Sequence, residues 1–506
     1  MSSTTADAPR AERHGWPRYR TLWLALMLGW TVSAADRTIT GPVVTWMIGH
    51  DVGFLHGVAN PHALGGLIGG LFFAGYMLTQ WPGGYIGDRY GHRTVITISL
   101  VWAGIATIVS GLVSGLVIFI AMRVFTGLGE GAFYSNDRSL ITAETPLRKR
   151  SLGMGIAITG LAFGITIATV FAPNMISLGA KVFGGAEAWR MAFVALGVGT
   201  LVVACGIGLY FRRAEPGLPY LRASAHMLAY AAVCLAAVMA VYFIGTKAGL
   251  TDLEVAALEI VLAVAMLAFV FRRKADEIGP AIKNRDLLLV YASMFAVLWN
   301  LWLFSFWSVA IVGDAAHSSF GRSAMIAAFN AGAGLLGFPA GGWLSDWAVH
   351  RGWGRKGMLL TFTACQFVLT LAFGFVIAGG HPNVWVMAAL LFSASLFFNA
   401  LQPIAHAIVS DIAPAGYHGA AFGMDNLIGE MGAVLSPAAA GAIRDATGGW
   451  SAAVFLDAGI IACAFLLLCF VRERRSSSLF RDDRAEPTGE PAGRFRRPAR
   501  EPVSQR

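Results

Sequence analysis

Arg123 and Glu130 stand seven residues apart in an otherwise apolar stretch, Arg-Val-Phe-Thr-Gly-Leu-Gly-Glu-Gly from Arg123 to Gly131. Hydropathy reads that stretch as part of a bilayer-spanning helix, where a charged side chain costs about 3 kcal/mol on insertion scales and is rare without a function. Seven residues are about two helical turns, so both side chains project from nearly the same face, roughly 10 Å apart along the axis. Gly127, Gly129 and Gly131 lie between and beside them, and glycines let a neighbouring backbone come close. A charged face beside a glycine seam suits the wall of a polar cavity.

Asp36 and Arg37 put a second acid and base into the first apolar segment. A guanidinium stays ionised and grips a carboxylate through two parallel bonds, so Arg37 and Arg123 are candidate anion binders. Asp36 and Glu130 are candidate proton carriers. The proton affinity of a carboxyl group in a low-dielectric site depends on whether an arginine is paired with it, so a solute that engages the arginine changes it. The bland alternative is a set of fixed internal ion pairs.

Tyr76, Gln80, Asn300, Gln402, His406 and Asn426 are polar positions inside apolar spans. Any one of them serves equally as a silent helix–helix hydrogen bond, worth about 0.6 kcal/mol; together they can orient the polar part of a solute. Glu430 is a third intramembrane acid and joins this substrate-facing set. Trp299, Trp302, Phe304, Phe306 and Trp307 form an aromatic cluster, for which lipid-facing anchoring is favoured over stacking on a solute.

The chain that positions these residues is 506 residues long, 56% hydrophobic and only 13% charged, about half the charge of an ordinary soluble protein. Repeated runs of about 18 to 25 apolar residues define an all-α integral membrane protein. The net charge of +9 is less informative than its placement. Arg18 and Arg20, Arg89 and Arg93, Arg148 to Arg150, Arg212 and Arg213, Arg272 to Lys274, Arg355 and Lys356, and Arg472 to Arg475 fall on one side, against scattered bases such as Lys181 and Lys247 on the other. The positive-inside rule then puts both termini in the cytoplasm, in a multi-pass protein of the cell membrane. No basic helix or aromatic–basic module stands outside the membrane segments, so no nucleic-acid partner is expected. Cys205, Cys234, Cys365, Cys463 and Cys469 show no metal or disulfide spacing and read as small buried hydrophobes. No metal and no cofactor are expected, and a proton gradient is the expected driving force.

Fourteen spans follow. Six in the first half lie at 21–44, 64–86, 94–113, 116–137, 152–176 and 190–211, and six in the second at 287–312, 323–345, 357–378, 384–410, 419–443 and 451–471. Two more, 227–246 and 254–271, lie between them; the second carries Glu259, and the pair reads as peripheral. The domains are therefore a cytoplasmic tail (1–20), an N-terminal six-helix bundle (21–213), a linker with two additional helices (214–285), a C-terminal six-helix bundle (286–472) and a disordered cytoplasmic tail (473–506) rich in Arg, Glu and Pro.

The two halves share a motif. Gly-Gly-Tyr-Ile-Gly-Asp-Arg-Tyr-Gly-His-Arg (Gly83 to Arg93) closes the second span, and Gly-Gly-Trp-Leu-Ser-Asp-Trp (Gly341 to Trp347) closes the second span of the later half. Transporter folds are built from internal repeats of this sort. Gly84, Asp88, Arg89, Gly91 and Arg93 resemble the loop signature of the major facilitator superfamily; Gly342 and Asp346 form a weaker second copy, with Trp347 where a basic residue is usual. Within that superfamily the chain is similar to the anion:cation symporter branch, which includes sugar-acid/proton symporters and vesicular organic-anion carriers. The likeness rests on Asp36-Arg37, Tyr76 with Gln80-Trp-Pro-Gly-Gly, Arg123 to Gly131, Trp189-Arg190 with Phe193, and a late set running from Ile412-Ala-Pro through Asn426, Gly429 and Ser436-Pro437 to Thr447-Gly448.

The resemblance implies a major facilitator fold of two six-helix bundles, here with two extra central helices, working by alternating access. It implies that Gly84, Asp88, Arg89, Gly91, Arg93 and Asp346 form a conformational gating loop that does not touch solute. It also implies that Arg37 and Arg123 face the solute while Asp36 and Glu130 couple protons. The chain departs from the branch in its added helix pair, in Asp137-Arg138 after the fourth span, in Glu430 where an amide or small residue is usual, and in Trp307-Ser-Val-Ala where Trp-x-Pro is usual.

The expected function is proton-coupled uptake of a small organic anion, such as a sugar acid, by a monomer whose partners are solute, protons and lipid. No nucleophile–base pair or metal spacing supports an enzyme. The rival is a proton-coupled exporter of amphipathic drugs or metabolites. Against it, the fifth span carries Gly155, Gly160 and Gly164 without the Gly-Pro pair of superfamily antiporters.

Overall fold

The computed structural model describes residues 17–146, 150–272, 279, 283–351, 353–380, 382–414 and 418–472. The tail at 473–506, most of the tail at 1–20 and the loop bases Arg148, Lys149, Arg273 and Lys274 lie outside the described residues.

Among the described residues the fold is helical throughout. In chain order come α1 (Arg18–His50), a 3-10 turn (Gly53–Leu55), α2 (Pro61–Tyr90), α3 (His92–Leu112), α4 (Leu116–Glu144), α5 (Arg150–Val182), α6 (Arg190–Ala214), α7 (Tyr220–Lys247) and α8 (Asp252–Arg272). The second half contributes α9 (Arg285–Ala316), α10 (Phe320–Gly332), α11 (Gly334–His350), α12 (Arg355–Ala378), α13 (Val384–Ile412), α14 (His418–Thr447) and α15 (Ser451–Cys469). The interruption at Ala333 splits one membrane-length segment into α10 and α11. Among the described residues eleven segments are long and apolar enough to cross a membrane. The others are α1, α8 and α14, which carry Asp36 and Arg37, Glu259, and Asp425 and Glu430.

Small residues decide how closely these helices approach. In lipid there is no hydrophobic drive between helices, so backbone contact and interhelical hydrogen bonds hold them. Gly127 and Gly131 of α4 sit against the Phe72 and Tyr76 carbonyls of α2, where any Cβ would collide, and Gly129 abuts the Trp102 ring of α3. Gly160 and Gly164 of α5 receive the Met27 and Thr31 carbonyls of α1 in the same way.

The two halves meet along α2 and α14. Gly66 and Gly70 pack on the Pro437 and Val434 backbone, Gly441 packs on His62, and Gly41 of α1 lies against the Phe306 carbonyl of α9. At the face opposite the described chain ends, Asp445 from α14 reaches the start of α2. Its carboxylate lies 2.6 Å from His62 Nδ1 and accepts the Ala63 N–H at 2.8 Å. An acid from one half thus satisfies free amide groups at a helix N-terminus of the other.

Two expectations change, and the contacts of the added helix pair are now defined. The aromatic cluster on α9 faces inward: Trp299, Trp302, Phe304, Phe306 and Trp307 are all buried, because α9 lies between α14, α10, α15 and α1 rather than at the lipid boundary. Three cysteines read as buried, Cys205, Cys463 and Cys469, are instead exposed on outer helix faces, and only Cys234 is fully buried. The added pair is in contact with both halves: α7 packs on α2, α3 and α4, and α8 packs on α2 and α14. The Tyr230 hydroxyl fastens α7 to α2 by donating to the Leu78 carbonyl at 3.0 Å.

Candidate functional site

Asp36 and Arg37 are consecutive on α1, so their side chains diverge by about 100°. Each finds the opposite charge on α4, two turns apart. Arg123 Nη1 donates to Asp36 Oδ1 at 3.2 Å, and Arg37 Nη2 donates to Glu130 Oε2 at 3.0 Å. All four side chains are buried. Buried ion pairs are tolerated when further hydrogen bonds support them, and both pairs have such bonds, although Arg123 Nε and Glu130 Oε1 have no partner among the described residues.

Around the first pair, Thr107 Oγ1 donates to Asp36 Oδ2 at 2.7 Å, while Arg123 Nη2 reaches Thr107, Ser110 and Thr126 at 3.2, 3.1 and 2.9 Å. The Phe193 ring covers the Arg123 guanidinium at 5.2 Å. Arg123 is therefore committed within the N-terminal half. Around the second pair, Ser33 Oγ donates to Glu130 Oε2 at 2.6 Å and accepts from Arg37 Nη2 at 2.7 Å. Ser33 is one turn before Arg37, so helix geometry places the hydroxyl between acid and base.

Arg37 also stands at the junction of the halves. Its guanidinium lies 4.6 Å from the Tyr76 ring, 5.6 Å from the Trp30 ring and 5.8 Å from the Trp302 ring of α9. Trp302 in turn stacks obliquely on Phe73 of α2 at 4.4 Å. On the other side of the seam Asn426 Nδ2 donates to Gln80 Oε1 at 2.8 Å, and Gln80 Nε2 and Asn426 Nδ2 both point to Glu430 Oε1 at 3.4 Å. The structure thus brings Arg37, Glu130, Tyr76, Gln80, Asn426 and Glu430 together across the two halves. Glu130 Oε1 and Glu430 Oε2 are buried there with no hydrogen-bond partner among the described residues.

Asn300 and Gln402 stand apart from this centre. Asn300 Nδ2 donates to Asp457 Oδ2 at 2.6 Å, and Asn300 lines a small polar recess with Ser305, Asn330, Ser395 and Asn399. Gln402 is half-buried on α13 and takes no part in the Gln80–Asn426–Glu430 network. Asp425 and Asp457 are not among the residues singled out from the sequence, and Asp137 is there only as a departure from the branch, yet all three make polar contacts. Asp457 binds Asn300, Asp425 lies 3.6 Å from His406, and Asp137 accepts from Trp30 Nε1 at 2.7 Å. Asp425 and Asp457 were open to the criterion that singled out Glu130, an acid in an apolar run.

In the expected gating loop, Gly91 has φ +91°, a conformation only glycine adopts freely. Its turn leads into Arg93, which pairs with Glu144 at the end of α4 and, at 3.0 Å, with Glu215 after α6. Gly84 faces Ser135, and Arg89 lies over the Tyr90 ring. Asp88 is exposed, 3.6 Å from His92. The side chain of Asp346 lies outside the described residues.

The sequence profile described as Major Facilitator Superfamily matches residues 26–379 and 290–503. The chain is 24% identical over 462 residues to a protein of Bacillus subtilis (strain 168) named a probable galactarate/D-glucarate transporter, covering 88% of this chain and 90% of that protein. It is 23% identical over 408 residues to a D-galactonate transporter of Escherichia coli, covering 78% of this chain and 84% of the other. A bacterial homolog of the human lysosomal transporter Spinster, solved in an inward-facing, occupied conformation, superposes with a TM-score of 0.64 at 17% identity, over 94% of this chain and 100% of that one.

Proposed function

This chain belongs to the Major Facilitator Superfamily and is a multi-pass membrane transport protein, and from that premise we propose that it imports a small organic anion of the sugar-acid type together with protons. The observation that carries this reading is the Arg37–Ser33–Glu130 triad at the seam between the halves. The solute carboxylate competes with Glu130 for the Arg37 guanidinium, which is the group at the centre able to bind a carboxylate bidentately. A carboxylate that loses its arginine in a low-dielectric site takes up a proton. Anion binding and proton binding are thereby linked at one side chain.

Asp36, adjacent on α1 and held by Arg123, is the second proton site; a rotation of α1 that frees Arg37 also strains the Asp36–Arg123 pair. Tyr76, Gln80 and Asn426 orient the hydroxyl-bearing part of the solute. Asn300 and Gln402 belong to the path through the C-terminal half, and Gly84, Asp88, Arg89, Gly91, Arg93 and Asp346 govern the balance between open states. The names of the relatives, a galactarate/D-glucarate and a D-galactonate transporter, support a sugar acid. The protein works as a monomer in the cytoplasmic membrane with both termini inside, so that the face closed by His62 and Asp445 is the external one.

One feature favours the rival, export of amphipathic compounds: the centre is rich in aromatic rings, Trp30, Phe73, Tyr76 and Trp302. Counterflow in proteoliposomes separates the two. Exchange of labelled D-galactonate or D-glucarate, lost in Arg37→Ala, supports the symporter; exchange of lipophilic cations alone overturns it.

A further inference from the structure

The hydrogen bonds around Glu430 run in one direction. Gln80 and Asn426 both turn their amide N–H groups toward its Oε1, and Gln80 is held in that orientation because its own oxygen is taken by Asn426. Oε2 is buried without a partner, in a residue only 4% exposed. The ionisable groups that sense its charge are the Arg37 guanidinium, already bonded to Glu130 and Ser33, and the Tyr76 and Tyr134 hydroxyls. The guanidinium can only donate and the hydroxyls can donate or accept, but the hydrogen bonds that reach Glu430 among the described residues are both donated to it, by Gln80 and Asn426. The site is built around Glu430 as an acceptor.

Charge then selects the donor. Arg123 is matched by Asp36, which leaves Arg37 as one positive charge facing two acids, Glu130 and Glu430. When a carboxylate takes Arg37 and Glu130 takes a proton, Glu430 remains as one unmatched negative charge at the centre. A hydroxyl satisfies its valence but not its charge; an ammonium satisfies both.

We propose that the solute carries a cationic amino group besides its carboxylate, with the carboxylate at Arg37 and the ammonium at Glu430. The solute class is accordingly amino-substituted sugar acids and similar zwitterionic carboxylates. This rests on the placement of a carboxylate at Arg37.

Calorimetric titration of the purified full chain with a matched pair tests it: D-gluconate and 2-amino-2-deoxy-D-gluconate, which differ only in hydroxyl against ammonium at one carbon. The wild type is expected to bind the amino compound about tenfold or more tightly, and E430Q to bring the two within about threefold. Equal or tighter binding of D-gluconate by the wild type overturns the proposal. A preference that persists unchanged in E430Q removes Glu430 as its source. Binding of neither compound contradicts the sugar-acid reading itself, and the proposal with it.

Discussion

Arg37 and Glu130 lie 3.0 Å apart with both side chains sealed from solvent, and Ser33 bonds to each of them. The pair is a point where a buried charge of the N-terminal half reaches the seam with the C-terminal half, beside the Trp302 ring of α9. Its neighbour pair, Asp36 with Arg123, is enclosed by Thr107, Ser110, Thr126 and Phe193, all from the same half. Two pairs of the same charge type therefore have different surroundings, and different substitutions tell them apart.

Arg37→Lys keeps the charge and removes the fork and the stacking on Tyr76 and Trp30. A lysine binds a carboxylate as a point charge. Affinity for D-galactonate, measured by counterflow competition, is expected to fall about tenfold or more, the effect of losing roughly 1.5 kcal/mol. Unchanged affinity removes Arg37 from the anion site.

Arg123→Met leaves Asp36 buried without its cation, a change worth about 3–5 kcal/mol. The double variant Asp36→Asn/Arg123→Met removes both charges, so its thermal stability in detergent is expected to lie closer to wild type than that of the single variant. Equal losses in the two proteins show that the pair is not what Arg123 contributes.

The link between His62 and Asp445 joins α2 to α14 at the face opposite the described chain ends. Asp445→Asn removes the charge that holds His62 and the Ala63 N–H, about 1.5 kcal/mol and hence about tenfold in the open–closed balance. Spin labels on the 3-10 turn (Gly53–Leu55) and on the turn between α9 and α10 are expected to show a larger share of long distances. An unchanged distribution means that Gly66, Gly70 and Gly441 packing alone keeps this face shut.

Much of this was legible in the sequence, for a physical reason: charge in an apolar run is costly, so such a residue stands out against its surroundings. Arg123, Glu130, Asp36 and Arg37 stood out in this way, and the glycines beside them pointed to close helix contact. Who pairs with whom was not legible. Consecutive residues on one helix point apart, and only the crossing of α1 over α4 decides that Arg37 takes Glu130 while Asp36 takes Arg123. Ser33, Thr107 and Ser110 complete the pairs, yet a hydroxyl in an apolar helix carries no cost large enough to mark it. The inward turn of Trp302 and Trp307 was hidden for a related reason: an aromatic residue is equally at home against lipid and against a neighbouring helix.

We propose that the proton linkage of a carboxylate bound at Arg37 runs through Glu130. Proteoliposomes enclosing a pH-sensitive dye, with wild-type protein or Glu130→Gln, test it when D-galactonate or D-glucarate is added outside. Acidification of the lumen by the wild type, absent in Glu130→Gln although labelled sugar acid still exchanges, is the predicted result. Acidification of equal size in both proteins, or sugar-acid uptake by the wild type with no proton movement, contradicts it.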